Sequence, residues 1–229
     1  MKISVRQIFS SAKCSSDRHH DAALERSLPG ASLLLEGCAL VDASVAAAVE
    51  AAARNGRSLA CGPGCDVCCR QPIPVTPLEF LLMRVWLRFR ADGDSRARLE
   101  ARHLTWLRDE PSPLRRPCPF LLEGGCTVYP VRPLACRRYL VLDRRCAPGE
   151  DCSASRPEDL LVPARHALHA ALALTFPWYA TRWRSLRLPQ PPGAAPESGA
   201  AQAWLRAVTV PVQNLFWSRP LQPENRENA

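Results

Sequence analysis

The sequence predicts a mainly α fold: a single helical domain framing an irregular cysteine-rich centre, with little or no β-sheet. Three observations carry this expectation. Asp42 to Arg54 is a run of strong helix formers, Val45-Ala-Ala-Ala-Val49-Glu-Ala-Ala-Ala53 at its middle. Leu78, Leu81, Leu82, Val85, Trp86 and Phe89 then recur at the spacing of one helix face. Nowhere in the 229 residues do strands alternate with helices, and no internal repeat is visible.

Taken in order, residues 1–41 read as a polar N-terminal arm holding Cys14, the His19-His20 pair and Cys38. The helix from Asp42 ends where Gly56 supplies a C-terminal glycine. Cys61-Gly-Pro-Gly-Cys65-Asp-Val-Cys68-Cys69 follows, with a Gly/Pro turn between its first two thiols. Thr76, Pro77 and Glu79 form a capping-box start for the next helix, with proline at its first position. Asp92-Gly93-Asp94 closes that helix and opens another, whose inner face is Leu99, His103, Leu104 and Leu107 and whose outer face pairs Arg96 with Glu100. Pro111, Pro113 and Pro117 return the chain as an extended segment. A further helix is expected from about Pro157 to Phe176. The helical cysteine-cluster domain therefore spans 42–188. Residues 189–229 are a Pro/Ala-rich linker and an apolar end, in which Trp204, Leu205, Val208 and Leu215-Phe216-Trp217 dock back on the core.

At this length the chain can bury a sizeable core, so it needs no metal merely for lack of apolar material. The formal charge of +8 is spread as arginines interleaved with acids rather than as a basic stripe, which disfavours a nucleic-acid partner. Met1 to Ser10 has no continuous apolar run of the kind a signal peptide carries. No stretch reaches about 18 uninterrupted apolar residues, so no membrane span is expected. A cytoplasmic protein with reduced thiols is the expectation, and eleven cysteines there read as metal ligands before disulfides.

The chemistry lies in two segments that must meet. The first carries Cys61, Cys65, Cys68 and Cys69; the second is Cys118-Pro-Phe-Leu-Leu-Glu-Gly-Gly-Cys126-Thr-Val-Tyr129-Pro-Val-Arg132-Pro133-Leu-Ala-Cys136-Arg137. Neighbouring side chains in an extended backbone leave on opposite faces. Cys68 and Cys69 should therefore take different roles: one ligand and one buried thiol, or ligands to two centres. Four thiolates around Zn²⁺, or around an oxidised four-iron cluster, leave a charge of about −2. Arg70, Arg132 and Arg137 stand ready to offset it. Isolated Cys38 reads as a small hydrophobe, His166 and His169 as a helix surface, and Trp178-Tyr179 with Trp183 as packing. Glu79 reads as a cap rather than an acid–base group.

Cys-Pro-Phe-Leu followed by Cys-x2-Tyr-Pro-x-Arg-Pro-x2-Cys-Arg, after a cysteine run ending in Cys-Cys, resembles the YkgJ-type cysteine-cluster family of zinc- or iron-chelating domains. The resemblance covers roughly Cys61 to Arg138. It implies a metal-ligand set of Cys61, Cys65, Cys68, Cys69, Cys118, Cys126 and Cys136, with Tyr129, Arg132, Pro133 and Arg137 in support. Zinc, iron or a 4Fe-4S cluster is the implied cofactor. Cys146 and Cys152, in Cys-Ala-Pro-Gly-Glu-Asp-Cys, are further candidate additions to that set. A related branch, the flagellin lysine N-methylases, implies an alternative as an iron–sulfur-dependent protein methyltransferase. A zinc-stabilised adaptor that binds a protein or nucleic acid is the third reading. The Cys-x3-Cys-x2-Cys spacing also occurs in radical S-adenosylmethionine enzymes, but the β/α alternation of their barrel is missing here. Metal binding asks least beyond the residues.

Overall fold

The computed structural model describes residues 22–62, 64–109, 116–192 and 199–215. The expectations for Cys14, His19-His20, Pro63, Pro111, Pro113, the Leu107 side chain, linker residues 193–198 and Phe216-Trp217 fall outside those residues. The described chain is mainly helical, as the sequence predicts, with eight α-helices and two small two-stranded sheets. The helices are α1 Ala22–Ser27, α2 Ala31–Arg54, α3 Pro77–Arg90, α4 Gly93–Asp109, α5 Leu134–Arg138, α6 Cys152–Ser155, α7 Arg165–Arg182 and α8 Gly199–Val208.

Helix α2 is longer than its alanine-rich half. It begins at Ala31, well before Asp42, so residues 31–41 belong to the helical body rather than to an arm. Its start is fixed by Glu25 of α1, whose carboxylate accepts from the Gly30 and Ser32 amides at 2.7 and 2.8 Å. Those amides are among the N–H groups that no helical turn can satisfy. Leu34, Cys38, Val41, Val45 and Val49 form one buried stripe along the helix. Burial of each aliphatic side chain contributes roughly 1.5–3 kcal/mol relative to leaving it in water. By length and composition α2 could cross a membrane, with a mean hydropathy of 1.7 over its most apolar window. Here it packs along α7. A Cβ on Gly37 would sit 2.9 Å from the Ala171 carbonyl oxygen, so glycine permits the two backbones to approach.

The capping box of α3 forms as expected. Glu79 N donates to Thr76 Oγ1, and Glu79 Oε2 accepts from the Thr76 amide at 2.7 Å. Tyr179 of α7 accepts from the Leu78 amide at 3.1 Å, satisfying another free donor of that first turn. Tyr179 also packs edge-on against Trp178 and Trp204, each at 4.9 Å between ring centroids, so this aromatic cluster is core. In α4, Leu99 and His103 are buried, but Leu104 is 57% exposed and belongs to the outer face. Arg96 donates to the Arg88 carbonyl oxygen at 2.8 Å, back toward α3 rather than along its own helix to Glu100.

The helix expected from Pro157 starts at Arg165 instead. Leu160 and Leu161 are extended: Leu161 N donates to Leu140 O at 2.9 Å and Leu142 N to Asp159 O at 2.8 Å. Pro163 disfavours helical backbone at the residue before it, which keeps the extended stretch from joining α7. Strand β1 (Pro74–Val75) pairs antiparallel with β4 (Val210–Pro211), docking the C-terminal part beside the cysteine segments. Trp204, Val208 and Leu215 are buried there as expected, while Leu205 is only half-buried. Strands β2 (Leu121–Leu122) and β3 (Gly125–Cys126) form a hairpin whose turn residues, Glu123 and Gly124, have φ of 50° and 74°. Two positive φ values in succession make the turn that suits the twist of a two-residue hairpin.

Candidate metal centre

Every predicted ligand is placed, and each thiol is free of disulfide bonding. Cys68 and Cys69 sit on a 3₁₀ turn, Val67–Arg70. The backbone carbonyl of Cys69 accepts from the Cys118 amide at 2.6 Å, which pins the end of the first segment to the start of the second. From Cys118 the chain turns at once: Leu121 N donates to Cys118 O at 3.0 Å and enters the hairpin. The hairpin register sets Cys126 opposite Leu121. Thr127 then closes the loop with amide and hydroxyl bonds to the Phe120 carbonyl at 2.9 and 2.8 Å.

Cys136 is delivered by the short helix α5. Glu79 again fixes the start, its Oε1 accepting from the Leu134 amide at 2.8 Å. One buried carboxylate thus caps α3 and holds the Cys136 helix. Burial pushes the Glu79 carboxyl above its usual range, against the pull of these amide bonds and of Arg137.

Four thiols lie within electrostatic reach of one another: Cys68, Cys118, Cys126 and Cys136. Burial is the first cause that raises the Cys118, Cys126 and Cys136 thiols, and repulsion among these four adds to each. Cys68 is raised chiefly by a thiol–thiol hydrogen bond with Cys69, then by burial. The two thiols of the adjacent pair thus meet on the 3₁₀ turn instead of leaving on opposite faces as an extended backbone would place them. Cys68 is the one within electrostatic reach of Cys118, Cys126 and Cys136.

Positive charge surrounds this group. Arg132 and Arg137 act on both Cys126 and its surroundings, Arg132 also on Cys136. Arg132 stacks over the Tyr129 ring at 3.9 Å, a cation–π contact that orients it. Arg70 does not serve as expected: it pairs with Asp66 at 3.3 Å on the exposed side of its turn. A cation that the sequence reading missed, Arg102 of α4, lies within reach of Cys118 and stacks over Trp106 at 4.5 Å. Its only signal was its position one turn beyond Leu99 on a helix otherwise read for its apolar face.

Cys61 and Cys65 stand at the other end of the first segment. Cys61 Sγ accepts from the Val141 amide at 3.2 Å, and its thiol is pushed up to about 11, burial first. Cys146 and Cys152, the additional candidates of the sequence reading, come together in the structure. Their sulfurs are 3.3 Å apart, and with a Glu150 oxygen they lie within 4.8 Å of one another. The spacing Cys-x5-Cys about a Pro-Gly turn was the available signal. Cys38 is 5% exposed inside α2, a core thiol pushed up to about 11 by burial. His169 contacts the Gln202 side chain at 3.3 Å, and His166 borders an apolar cleft with Leu40, Ser44 and Ala170, so the two do not form a ligand pair.

Half-buried thiols that repel one another as thiolates, with arginines beside them, are the kind of donor set that chelates a metal in a helical frame. Residues 60–153 match the family model CxxCxxCC, described as "Putative zinc- or iron-chelating domain". The match spans Cys61 to Cys152, beyond the Arg138 limit of the sequence resemblance. Neither the curated proteins nor the solved structures yield a match. The family match and the close grouping of Cys146, Glu150 and Cys152 both point to zinc or iron chelation by this segment.

Proposed function

We propose that the chain holds its metal chiefly through Cys68, Cys118, Cys126 and Cys136, in a closed site that builds the fold around it. The supporting observation is that four thiols from separate short elements lie within electrostatic reach of one another. They come from a 3₁₀ turn, the start of a hairpin, its second strand and a five-residue helix. None of those elements is long enough to hold its own shape in water.

The donor set fits the metal. Zinc takes four thiolates tetrahedrally, and a four-iron cluster takes four cysteine thiolates. Four protein ligands leave no open position, which is the arrangement of a structural rather than a catalytic zinc. Binding would expel the thiol protons, and the arginines named above would balance the remaining charge. Glu79, Arg137 and the Cys69 carbonyl orient the donors. No observation favours the methyltransferase or the adaptor over this reading.

Anaerobic purification followed by metal analysis and an absorption spectrum tests it. Zinc in a colourless protein, or iron and sulfide with a broad band near about 400 nm, is the expected result in either metal form. A folded, thiol-reduced protein that carries no metal and takes up neither zinc nor iron would overturn it.

A further inference from the structure

We propose that Cys61, Cys65, Cys146 and Cys152 form a second thiolate metal centre, next to the first and separate from it. The inference rests on the chelation reading above and extends it to a site for zinc or iron at the other end of the first cysteine segment.

The backbone splits that segment in two. Its Cys68-Cys69 end is pinned to Cys118. Its Cys61 end is stitched to a different stretch: Ala60 N donates to Val141 O at 2.9 Å, Asp143 N to Ser58 O at 2.6 Å, and Leu59 bridges Leu142. Cys61 itself accepts from the Val141 amide. This ladder runs directly into Cys146, whose sulfur stands 3.3 Å from that of Cys152. The Cys65 side is closed by Gln71, which donates to the Glu150 carbonyl at 3.1 Å. Arg145 reaches to 3.7 Å of where a Cβ on Gly62 would stand.

The loop that presents Cys146 and Cys152 is built to keep its shape. Gly149 takes a φ of 77°, and Glu150 Oε2 accepts from the Ala147 amide at 2.7 Å across the turn. Arg156, 4% exposed, donates to Glu150 Oε1 and Asp159 Oδ2, each at 2.8 Å, and to the Arg144 carbonyl at 2.9 Å. The Glu150 carboxylate is therefore spent on the loop. Although its oxygen lies near both sulfurs, the remaining donors are four thiols. Cys146 is within electrostatic reach of Cys152, Cys61 and Cys65, and Cys61 of Cys65 and Cys152. Four sulfur donors favour zinc or iron over hard cations. Each thiol would release its proton to solvent as the cation enters.

The test uses the full chain as purified under anaerobic, reducing conditions. Metal content is measured on the wild type and on Cys146→Ser/Cys152→Ser, and brief alkylation followed by mass spectrometry reports which thiols are protected. Two centres per chain are expected in the wild type and one in the double variant. In that variant Cys61 and Cys65 should become alkylated while Cys68, Cys118, Cys126 and Cys136 stay protected. Rapid alkylation of Cys146 and Cys152 in metal-loaded wild type overturns the second centre, whether or not the variant folds. So does a double variant with undiminished metal, or a Cys146–Cys152 disulfide in metal-loaded protein. Those outcomes leave the first centre standing. A wild type that binds no metal removes both.

Discussion

Replacing Cys136 by Ser should release the metal of the first centre and abolish the cooperative thermal transition of the domain. Cys136 is carried on five helical residues, too few to stand alone, and its thiol faces Cys126 and Cys68. Apparent binding free energies for structural zinc are about 10–16 kcal/mol. A native domain is stable by only about 5–15 kcal/mol in all. Loss of the metal therefore outweighs the margin by which the domain stays folded. Cys38→Ala is the matching control, since Cys38 is a buried thiol that belongs to the α2 stripe. It should lower stability by a packing increment and keep the metal. Differential scanning calorimetry with metal analysis on both variants reads the difference; equal metal in Cys136→Ser and wild type would refute the assignment.

Arg137→Ala should cost about 3–5 kcal/mol, the penalty for stranding the partner of a buried ion pair. Its guanidinium donates to Asp42 Oδ2 at 2.5 Å, to Pro130 O at 2.7 Å and to Arg132 O at 3.0 Å. The Asp42 bond ties α2 to α5, and the two carbonyl bonds hold the turn between Cys126 and Cys136. Without Arg137, the Asp42 carboxylate would be buried with its other oxygen, Oδ1, already lacking a partner. Urea unfolding of the metal-loaded protein measures the loss. Asp42→Leu added to Arg137→Met should recover much of it, because two apolar groups leave no stranded charge. If the double variant were as unstable as Arg137→Ala, the guanidinium would matter for the carbonyl bonds instead.

The parts legible in the sequence were those that short-range chemistry decides. Thr76, Pro77 and Glu79 announce a helix start because each residue answers one unsatisfied group of the first turn, and the structure shows those bonds. The opposite-face reading of Cys68 and Cys69 assumed an extended backbone, whereas the pair sits on a 3₁₀ turn with its thiols in contact. Spacing could not reveal the long-range pairings. Glu79 reaching the Leu134 amide joins positions far apart in the chain, and nothing local marks it. The start of α2 was missed because its cap is a side chain of the preceding helix, Glu25. The start of α7 was placed too early because Leu160 and Leu161 match a helical stripe while their amides and carbonyls serve the Leu140–Leu142 stretch. Arg57 shows the same limit. It bonds Asp143 and Asp159 and the Glu158 carbonyl, holding the Cys61 strand to the Cys146 side, yet in the sequence it is one arginine among many.

X-ray absorption at the metal edge tests most directly the claim that thiolates alone hold the metal. The account predicts a first shell of sulfur only, with distances near about 2.3 Å for zinc. A shell with nitrogen or oxygen donors near about 2.0–2.1 Å, as histidine or carboxylate ligands give, would contradict it.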